Sequence, residues 1–387
     1  MASCTSLKEI YPPLIDLTPF ASSTSACATR RQQVALQVRK ACIEVGFFQV
    51  KSPSLKQSVI DEGFLAAKDF FHLPSSTKKS ASAFNSPLFR GYQGSESDSH
   101  SCTSEDVPTT TATTTATTTA TTATSAATAT TATTTTTPTT TKTTPPTTTH
   151  KRKDLKESFT IGAVGNYSKM HGSNNWPTED TALLRSIKTR LQVYQNTMMT
   201  VALETAQALA LSLGLPIDFF VTNMTHAVAQ MVLLKYPPPE DALSNRPGCS
   251  AHKDCGFLTL LVQEQSMGGL EIYSTDQEWV NVPQLDSCVL INLGDLASEW
   301  TNNYYKSTLH RVNNSQLITD RHSVPFFCNL NYNAIVDPID LCQNSTLSEV
   351  VDGIRNGSTG FMTKITAGDY ICKKLGLMHD NGNEELQ

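Results

Sequence analysis

Residues 250–261 read Ser-Ala-His-Lys-Asp-Cys-Gly-Phe-Leu-Thr-Leu-Leu, a run that starts with polar groups and ends in apolar and β-branched side chains. Such a run predicts a strand that enters a core. His252 and Asp254 stand two residues apart in it, and side chains alternate across a strand, so we expect both on one face. An imidazole beside a carboxylate suits a divalent first-row metal ion. The run therefore predicts part of a metal site.

A third ligand is expected in residues 305–312, which read Tyr-Lys-Ser-Thr-Leu-His-Arg-Val and form a second strand-like run that contains His310. The separation from His252 is too long for a zinc-finger hairpin, but it suits two strands that return to one mouth of a barrel. Two histidines and one carboxylate on one side of a metal leave its other positions open, as in non-haem iron(II) oxygenases. Arg321 and Ser323 follow, and a guanidinium beside a hydroxyl can clamp a carboxylate.

These motifs, in this order, resemble those of the isopenicillin N synthase-like group of 2-oxoglutarate and iron(II)-dependent dioxygenases. Residues 292–312 are similar to that group almost throughout. The resemblance implies that His252, Asp254 and His310 act as the catalytic metal ligands. It also implies that Fe(II) is the cofactor and that 2-oxoglutarate and O₂ are co-substrates, with decarboxylation of 2-oxoglutarate to succinate as a small molecule is hydroxylated, desaturated or cyclised.

The same resemblance implies a co-substrate site. Arg321 and Ser323 match the pair that binds the distal carboxylate of 2-oxoglutarate, and Tyr236 resembles a family tyrosine that also reaches the co-substrate. Leu234 departs from the pattern, because relatives often carry asparagine at this position. Substrate choice lies in variable loops on a shared scaffold, so the sequence predicts a reaction type and leaves the substrate open.

The predicted fold is mainly β with flanking helices. Short strand signals separated by turn residues suit a double-sheet jelly roll, and the resemblance implies the equivalent double-stranded β-helix core with an N-terminal α/β extension. The predicted regions are residues 1–97 and 154–226 for the N-terminal region with helices packing on the barrel, 98–153 for an insert, 227–335 for the jelly-roll core, and 336–387 for C-terminal helices.

Hydrophobic periodicity places the helices within these regions. One is predicted from about Thr24 to Val45, where Gly46 stops it, and a second from an N-cap at Ser54 to the break at Pro74. A long third helix is predicted to begin near Thr178 and to end at Gly214. Two more are predicted near the C-terminus, one opening with a capping-box pattern at residues 346–349 and one across residues 369–375.

The insert consists mostly of threonine and alanine with scattered proline. It has almost no large apolar side chain to bury, so it cannot offset the entropy of ordering and is predicted to be a disordered surface loop. The cost of closing such a loop grows only slowly with its length.

Composition limits the partners and the compartment. The 387 residues carry a net charge of −5, so there is no overall positive charge to attract nucleic acid or an anionic membrane, and a small-molecule substrate is expected.

The ten cysteines form no CxxC pair, and the N-terminus lacks the apolar stretch of a secretory signal. We therefore expect free thiols and a cytoplasmic protein, with the oligomeric state unknown.

Two alternatives remain open. Close relatives use the same Arg-x-Ser pair to hold the carboxylate of the substrate itself, and they act as 2-oxoglutarate-independent non-haem iron oxidases. A non-catalytic binding protein with the same fold is the second alternative, although the intact motif residues argue against it.

Overall fold

The computed structural model describes residues 12–22, 27–95, 154–239, 246–264, 269–339 and 364–377. All of them belong to one compact unit, to which the chain contributes residues both before 105 and after 152. The predicted insert and the helix predicted at residues 346–349 lie outside the described residues.

Six α-helices lie in the described ranges. They are α1 (Ala28–Glu44), α2 (Gln57–Phe71), α3 (Ser75–Ser80), α4 (Ala182–Ser212), α5 (Asp295–Trp300) and α6 (Ala367–Lys374). Short 3-10 turns span Thr18–Phe20, Ala83–Asn85 and Val221–Asn223. The helices predicted for this part of the chain are therefore present as α1, α2, α4 and α6, whereas α3 and α5 were not predicted.

The predicted starts of two helices were wrong. In one case a different residue caps the helix, and in the other the predicted cap bonds elsewhere. The long helix begins at Ala182, since the Thr181 hydroxyl accepts a hydrogen bond from the backbone N–H of Leu184 (3.1 Å) and caps the helix there. Ser54 is not a cap: its hydroxyl donates to Glu204 (2.6 Å), and α2 begins at Gln57. The predicted stop at Gly46 is confirmed, since its φ of +72° takes the backbone out of α1.

The described residues contain fourteen strands. They are β1 (Leu14–Asp16), β2 (Phe47–Lys51), β3 (Gly91–Gln93), β4 (Glu157–Gly162), β5 (Ala227–Tyr236), β6 (Cys249–His252), β7 (Leu258–Gln263), β8 (Gly269–Tyr273), β9 (Trp279–Asn281), β10 (Cys288–Leu293), β11 (His310–Asn313), β12 (Arg321–Asn331), β13 (Ile335–Val336) and β14 (Ile365–Thr366). Eight of them form the major sheet in the order β1-β2-β10-β7-β12-β5-β4-β3. The minor sheet has the order β6-β11-β8-β9, and β13 pairs with β14.

The outer face of the major sheet packs against helices α2 and α4. Alternate residues of β5 and β12 point to this face, and Met231, Leu233, Val324 and Phe326 are all fully buried there in the main hydrophobic core. This apolar layer is the part of the molecule that holds the sheet and the helices together.

The inner face of the major sheet turns towards the minor sheet. Phe47 of β2 and Leu290 of β10 pack against Leu270 and Ile272 of β8 in a separate small core. Two sheets that pack face to face in this way, with almost all neighbouring strands antiparallel, confirm the predicted jelly roll with flanking helices. Strands β1 to β4 precede residue 227 and extend both ends of the major sheet, which confirms the N-terminal α/β extension.

The prediction of one continuous strand over residues 250–261 was wrong. β6 ends at His252 in the minor sheet and β7 begins at Leu258 in the major sheet, so residues 253–257 cross between the sheets. In this crossing the carbonyl of Asp254 accepts from the N–H of Asp295 (2.7 Å) instead of a ladder partner. Asp254 is therefore in a loop, and strand alternation is not the reason for its position.

The strand around His310 is also shorter than predicted. Only His310–Asn313 are in β11, because the preceding residues bond to the end of α1 instead of to a strand. The N–H of Lys306 donates to the carbonyl of Cys42 (3.0 Å), and the Thr308 hydroxyl donates to the carbonyl of Val45 (2.5 Å).

Candidate functional site

Two histidines lie side by side on adjacent strands of the minor sheet. β6 and β11 are antiparallel neighbours, and His252 lies directly opposite His310, with ring centroids 4.3 Å apart. Asp254, two residues past the end of β6, brings Oδ1 to 3.7 Å from Nε2 of each ring. One ligand atom from each of the three side chains lies within 4.8 Å of the other two. The three predicted ligands are therefore close enough to hold a single metal ion.

Backbone hydrogen bonds orient both imidazoles. Nδ1–H of His252 donates to the carbonyl of Ser250 (2.8 Å), and Nδ1–H of His310 donates to the carbonyl of Thr308 (3.0 Å). With Nδ1 protonated, Nε2 is the nitrogen that carries the lone pair in the neutral form of each ring. Histidines that ligate a metal usually donate the N–H of the other ring nitrogen to such a carbonyl.

Two further side chains fix the Asp254 carboxylate. The Thr259 hydroxyl (2.6 Å) and the Asn292 amide (2.7 Å) both donate to Oδ2. Since Oδ2 is occupied, only Oδ1 faces the two histidines, and the carboxylate is set up to bind a metal through one oxygen. Thr259 and Asn292 lie opposite each other on β7 and β10.

The sequence reasoning assigned no role to Thr259 or Asn292. The available signal was a polar side chain within each of two otherwise apolar runs, since Asn292 lies in the fully buried β10 and Thr259 lies in the apolar half of residues 250–261. A buried polar group requires a hydrogen-bond partner, which here is Asp254.

The electrostatics of Asp254 and His310 favour the protonation states that ligate metal ions. Burial raises the pKa of the Asp254 carboxyl, but His310, His252 and the two hydrogen bonds outweigh burial, so the pKa lies below its ordinary value. Burial and the neighbouring His252 lower the pKa of His310 to about 4. A carboxylate and a neutral imidazole are the forms required for metal binding. At His252, burial lowers the pKa, but Cys249 and Asp254 outweigh burial and raise the pKa to about 10. Binding of a metal ion at His252 therefore releases a proton.

The second predicted cluster lies on the inner face of the major sheet. Arg321 of β12 is directly opposite Tyr236 of β5, and Ser323 is opposite Leu234. The Arg321 guanidinium carbon is 5.2 Å from the Tyr236 ring centroid, and Ser323 hydrogen-bonds to Tyr236. Burial, with a contribution from Cys249, raises the pKa of Tyr236 to about 12, so its phenol stays protonated.

Arg321 is buried and only partly satisfied. Its Nη2 donates to the side-chain oxygen of Gln263, a contact the sequence did not reveal. Its Nε and Nη1 have no hydrogen-bond partner within the described part of the chain. Buried donors without partners are costly, and a guanidinium with two free N–H groups fits a carboxylate ligand.

Leu234, where the sequence departs from the family pattern, packs beside Tyr236, Val312 and Leu317.

Comparison with known proteins agrees with this geometry. The model of the 2OG-Fe(II) oxygenase superfamily matches residues 227–330, and the model described as non-haem dioxygenase in morphine synthesis, N-terminal, matches residues 12–121. The 2-oxoglutarate-dependent dioxygenase citB of Monascus ruber is 30% identical over 349 residues, which cover 86% of this chain and 88% of that protein.

The chain belongs to the 2OG-Fe(II) oxygenase superfamily. A second relative, the 2-oxoglutarate-dependent dioxygenase traH of Penicillium crustosum, is 29% identical over 352 residues, covering 89% of this chain and 91% of that protein. The crystal structure of a full-length Neurospora crassa protein in complex with alpha-KG and thymine has the same fold, with a TM-score of 0.70 at 22% identity over 96% of this chain and 98% of that one.

This member of the superfamily is thus an Fe(II) and 2-oxoglutarate-dependent dioxygenase, an oxidoreductase, as the sequence predicted. Its two clusters fit the cofactor and the co-substrate: two nitrogens and one oxygen suit iron(II), and the two free N–H groups of Arg321 suit a carboxylate. Among the described helices, none combines the length and the hydropathy that crossing a bilayer requires.

Proposed function

We propose that Nε2 of His252, Oδ1 of Asp254 and Nε2 of His310 hold iron(II) in this dioxygenase. The observation that carries the proposal is the distance of 3.7 Å from one Asp254 oxygen to both imidazole nitrogens, whose lone pairs are directed by backbone hydrogen bonds. Three protein ligands would leave further coordination positions for a co-substrate and O₂.

We further propose that Arg321, Ser323 and Tyr236 bind the distal carboxylate of 2-oxoglutarate. The free Nε–H and Nη1–H of Arg321 support this role, as do the neighbouring hydroxyls of Ser323 and Tyr236. Bound iron supplies the oxidation by O₂ that is coupled to conversion of 2-oxoglutarate to succinate and CO₂. The chain contributes orientation, because Thr259 and Asn292 hold Asp254 to one coordinating oxygen.

The proposed substrate is a small molecule. The structurally similar Neurospora crassa protein was crystallised with thymine, and the net charge of −5 offers no general attraction for nucleic acid. We assign the core chemistry to residues 227–335, and sheet extension and helical support to the described parts of 1–97 and 154–226. The predicted region 98–153 lies outside the described residues, and helix α6 is the described helix of 336–387. The buried free thiols Cys42, Cys288, Cys328 and Cys372 support a reducing, cytoplasmic location.

Anaerobic titration with iron(II) and then 2-oxoglutarate tests this proposal. We expect the weak visible charge-transfer band of a 2-oxoglutarate chelate in the wild type and its loss in His252→Ala. His72→Ala is the matched control, because His72 is an exposed histidine at the end of α2 and its removal is expected to leave the band unchanged. A band that persists in His252→Ala contradicts the assigned ligand set.

Release of CO₂ from labelled 2-oxoglutarate tests the co-substrate separately. Substrate oxidation without labelled CO₂ would identify the enzyme as a 2-oxoglutarate-independent oxidase. Failure to bind iron at all would favour a non-catalytic binding protein.

A further inference from the structure

Six half-buried side chains lie on neighbouring strands of the inner face of the major sheet. Direct cross-strand pairing aligns them, because Gln93 is opposite Ser158 and Ser158 is opposite Leu234, while Thr160 is opposite Val232, and Gln230 is opposite Phe327. Directly opposed residues of an antiparallel pair point to the same face. The open strip consists of Gln93, Thr160, Gln230, Val232, Leu234 and Phe327.

The partly accessible side chains of the open strip all point to the inner face. The alternate residues on the same strands point outward, and Phe159, Met231, Leu233 and Phe326 are all 0% exposed in the helix-covered core. The strands are therefore well packed, and the exposure results from incomplete covering of the inner face by the described part of the minor sheet. Three of these half-buried side chains are apolar, and apolar side chains that keep part of their surface accessible are typical of the lining of a ligand site.

The open strip lies beside both proposed sites. At one end, Phe327 is directly opposite Thr259, whose hydroxyl holds Asp254 (2.6 Å). At the other end, Leu234 is directly opposite Ser323, which hydrogen-bonds to Tyr236. A molecule that contacts the strip would therefore be adjacent to the iron ligands and to the co-substrate.

None of the six side chains of the open strip is ionisable. On β4 and β5, Glu157 and Lys235 point to the outer face and pair with each other (3.1 Å). Arg321 of β12 lies on the inner face, where it bonds to Gln263 and is assigned to the co-substrate. Lys156, just before β4, is paired with Asp154 (2.9 Å). The two glutamines and Thr160 offer neutral donors and acceptors, whereas Val232, Leu234 and Phe327 offer apolar contact.

We propose that the open strip binds the substrate and that the part of the substrate lying against it is uncharged, with an apolar body and amide-like or hydroxyl groups. A charge placed there would lose hydration without gaining an oppositely charged partner from the strip. This inference deepens the proposed function and rests on it, since the strip is assigned as a substrate surface only because of the neighbouring iron and 2-oxoglutarate sites.

Binding of a matched pair of probes tests the inference. The full-length protein is loaded with zinc(II), a redox-inert substitute, and with 2-oxoglutarate, and binding of both is measured first. 2-Naphthamide and 2-naphthoate, which have similar size and different charge, are then titrated and followed by ligand-observed NMR. We expect the amide to bind at least about tenfold more tightly than the carboxylate, because only the carboxylate is desolvated without a partner.

Substitutions within the strip make the test specific. Val232→Lys places a cation in the strip and should reverse the preference towards 2-naphthoate; Thr160→Lys is the second variant if the first does not fold. Ile318→Lys adds the same charge at a residue that is 91% exposed in the β11–β12 connection, and it should leave the preference unchanged.

Equal or tighter binding of the carboxylate to the wild type overturns the inference, as does failure of 2-naphthamide to bind or an unchanged preference in Val232→Lys. Because zinc(II) and 2-oxoglutarate binding are measured first, these outcomes are distinguishable from failure of the proposed function, in which the protein would not bind the metal and the co-substrate.

Discussion

Strands β5 and β12 present different surfaces to the two sides of the major sheet. On the outer side, Met231 and Phe326 are fully buried against the helices. Their neighbours in sequence, Val232 and Phe327, are half-buried on the inner side, next to the proposed site. Side chains alternate with a period of two along a strand, so one strand can contribute to stability and to function at adjacent positions. The two faces should therefore respond differently to substitution.

The largest expected effect is a loss of function at little cost in stability. Asp254→Asn keeps the size of the side chain and an oxygen that can accept from Thr259 and Asn292, but it removes the negative charge from the proposed iron ligand. We expect turnover to fall more than about a thousandfold, equivalent to ~4 kcal/mol. Metal affinity, measured by calorimetry, should fall with it, while the free energy of unfolding of the metal-free protein changes by less than about 1 kcal/mol.

Asp369→Asn is the control for this comparison. Asp369 is also a hydrogen-bonded carboxylate, held by Thr366 and Tyr332 at the start of α6, but it is not part of the metal cluster. Its substitution should leave metal affinity unchanged. Wild-type metal affinity in Asp254→Asn would show that Asp254 is not a metal ligand.

Adjacent phenylalanines on β12 give the most direct test of the two faces. Phe326→Ala leaves a cavity in the core and should lower the free energy of unfolding by about 3 to 4 kcal/mol. Phe327→Ala removes a half-buried ring and should cost less than about 1.5 kcal/mol. Urea unfolding of the two variants checks this, because chemistry and strand are the same and only the face differs. Equal costs would contradict the assignment of the faces.

The sequence predicted which polar residues form the site better than it predicted their geometry. The spacing of His252, Asp254 and His310, together with the family resemblance, predicted which residues meet, and the structure brings them within reach of one metal ion. The reason offered for two of them was wrong, because Asp254 lies in the crossing between the sheets and not on the strand of His252. Their role as iron ligands stays a prediction.

The parts that were not predicted depend on pairing between distant strands. Asn292 meets Asp254 only because β10 lies beside β7, and Gln263 meets Arg321 only because β7 lies beside β12. A periodic pattern shows which side chains share a face but not which strands become neighbours. The open strip could not be predicted for the same reason, since its members come from four strands.

Arg321→Met should separate co-substrate binding from metal binding. The substitution removes a buried guanidinium whose Nε and Nη1 have no partner in the described residues. Loss of charge-assisted hydrogen bonds should weaken 2-oxoglutarate binding by about 2 kcal/mol, or roughly 30-fold. Zinc(II) affinity should not change. Because an unpaired buried charge is also removed, stability without ligand should stay within about 1 kcal/mol.

Calorimetric titrations of 2-oxoglutarate into the zinc(II)-loaded wild type and variant provide the measurement. Unchanged 2-oxoglutarate affinity would exclude Arg321 from the co-substrate site. A parallel loss of zinc(II) affinity would mean that the metal cluster and the co-substrate cluster are not independent.

Glu264→Gln, at the end of β7, should affect mainly the outer face. Burial raises the pKa of Glu264, but hydrogen bonds from His322 and Lys68 outweigh burial and lower the pKa to about 2. Since the folded pKa lies below the unfolded value, this carboxylate stabilises the protein fully above about pH 4.5, and the contribution is lost as the pH falls towards about 2. The side chain is 22% exposed and Lys68 is 43% exposed, so we discount the contribution to about 1 to 2 kcal/mol.

Urea unfolding of the wild type and Glu264→Gln at pH 7, 5 and 3 checks this prediction. The variant should be less stable at pH 7 and pH 5, and the difference should shrink at pH 3 as the wild-type carboxylate begins to lose its advantage. Glu62→Gln, at a more exposed position of α2, should change stability by less than about 0.5 kcal/mol at each pH. Glu264 interacts electrostatically with Arg321, but it bonds to the ring and N–H of His322 on the opposite face. Glu264→Gln should therefore lower 2-oxoglutarate affinity far less than Arg321→Met does. A variant that loses as much 2-oxoglutarate affinity as Arg321→Met would show that the two faces are coupled through β12.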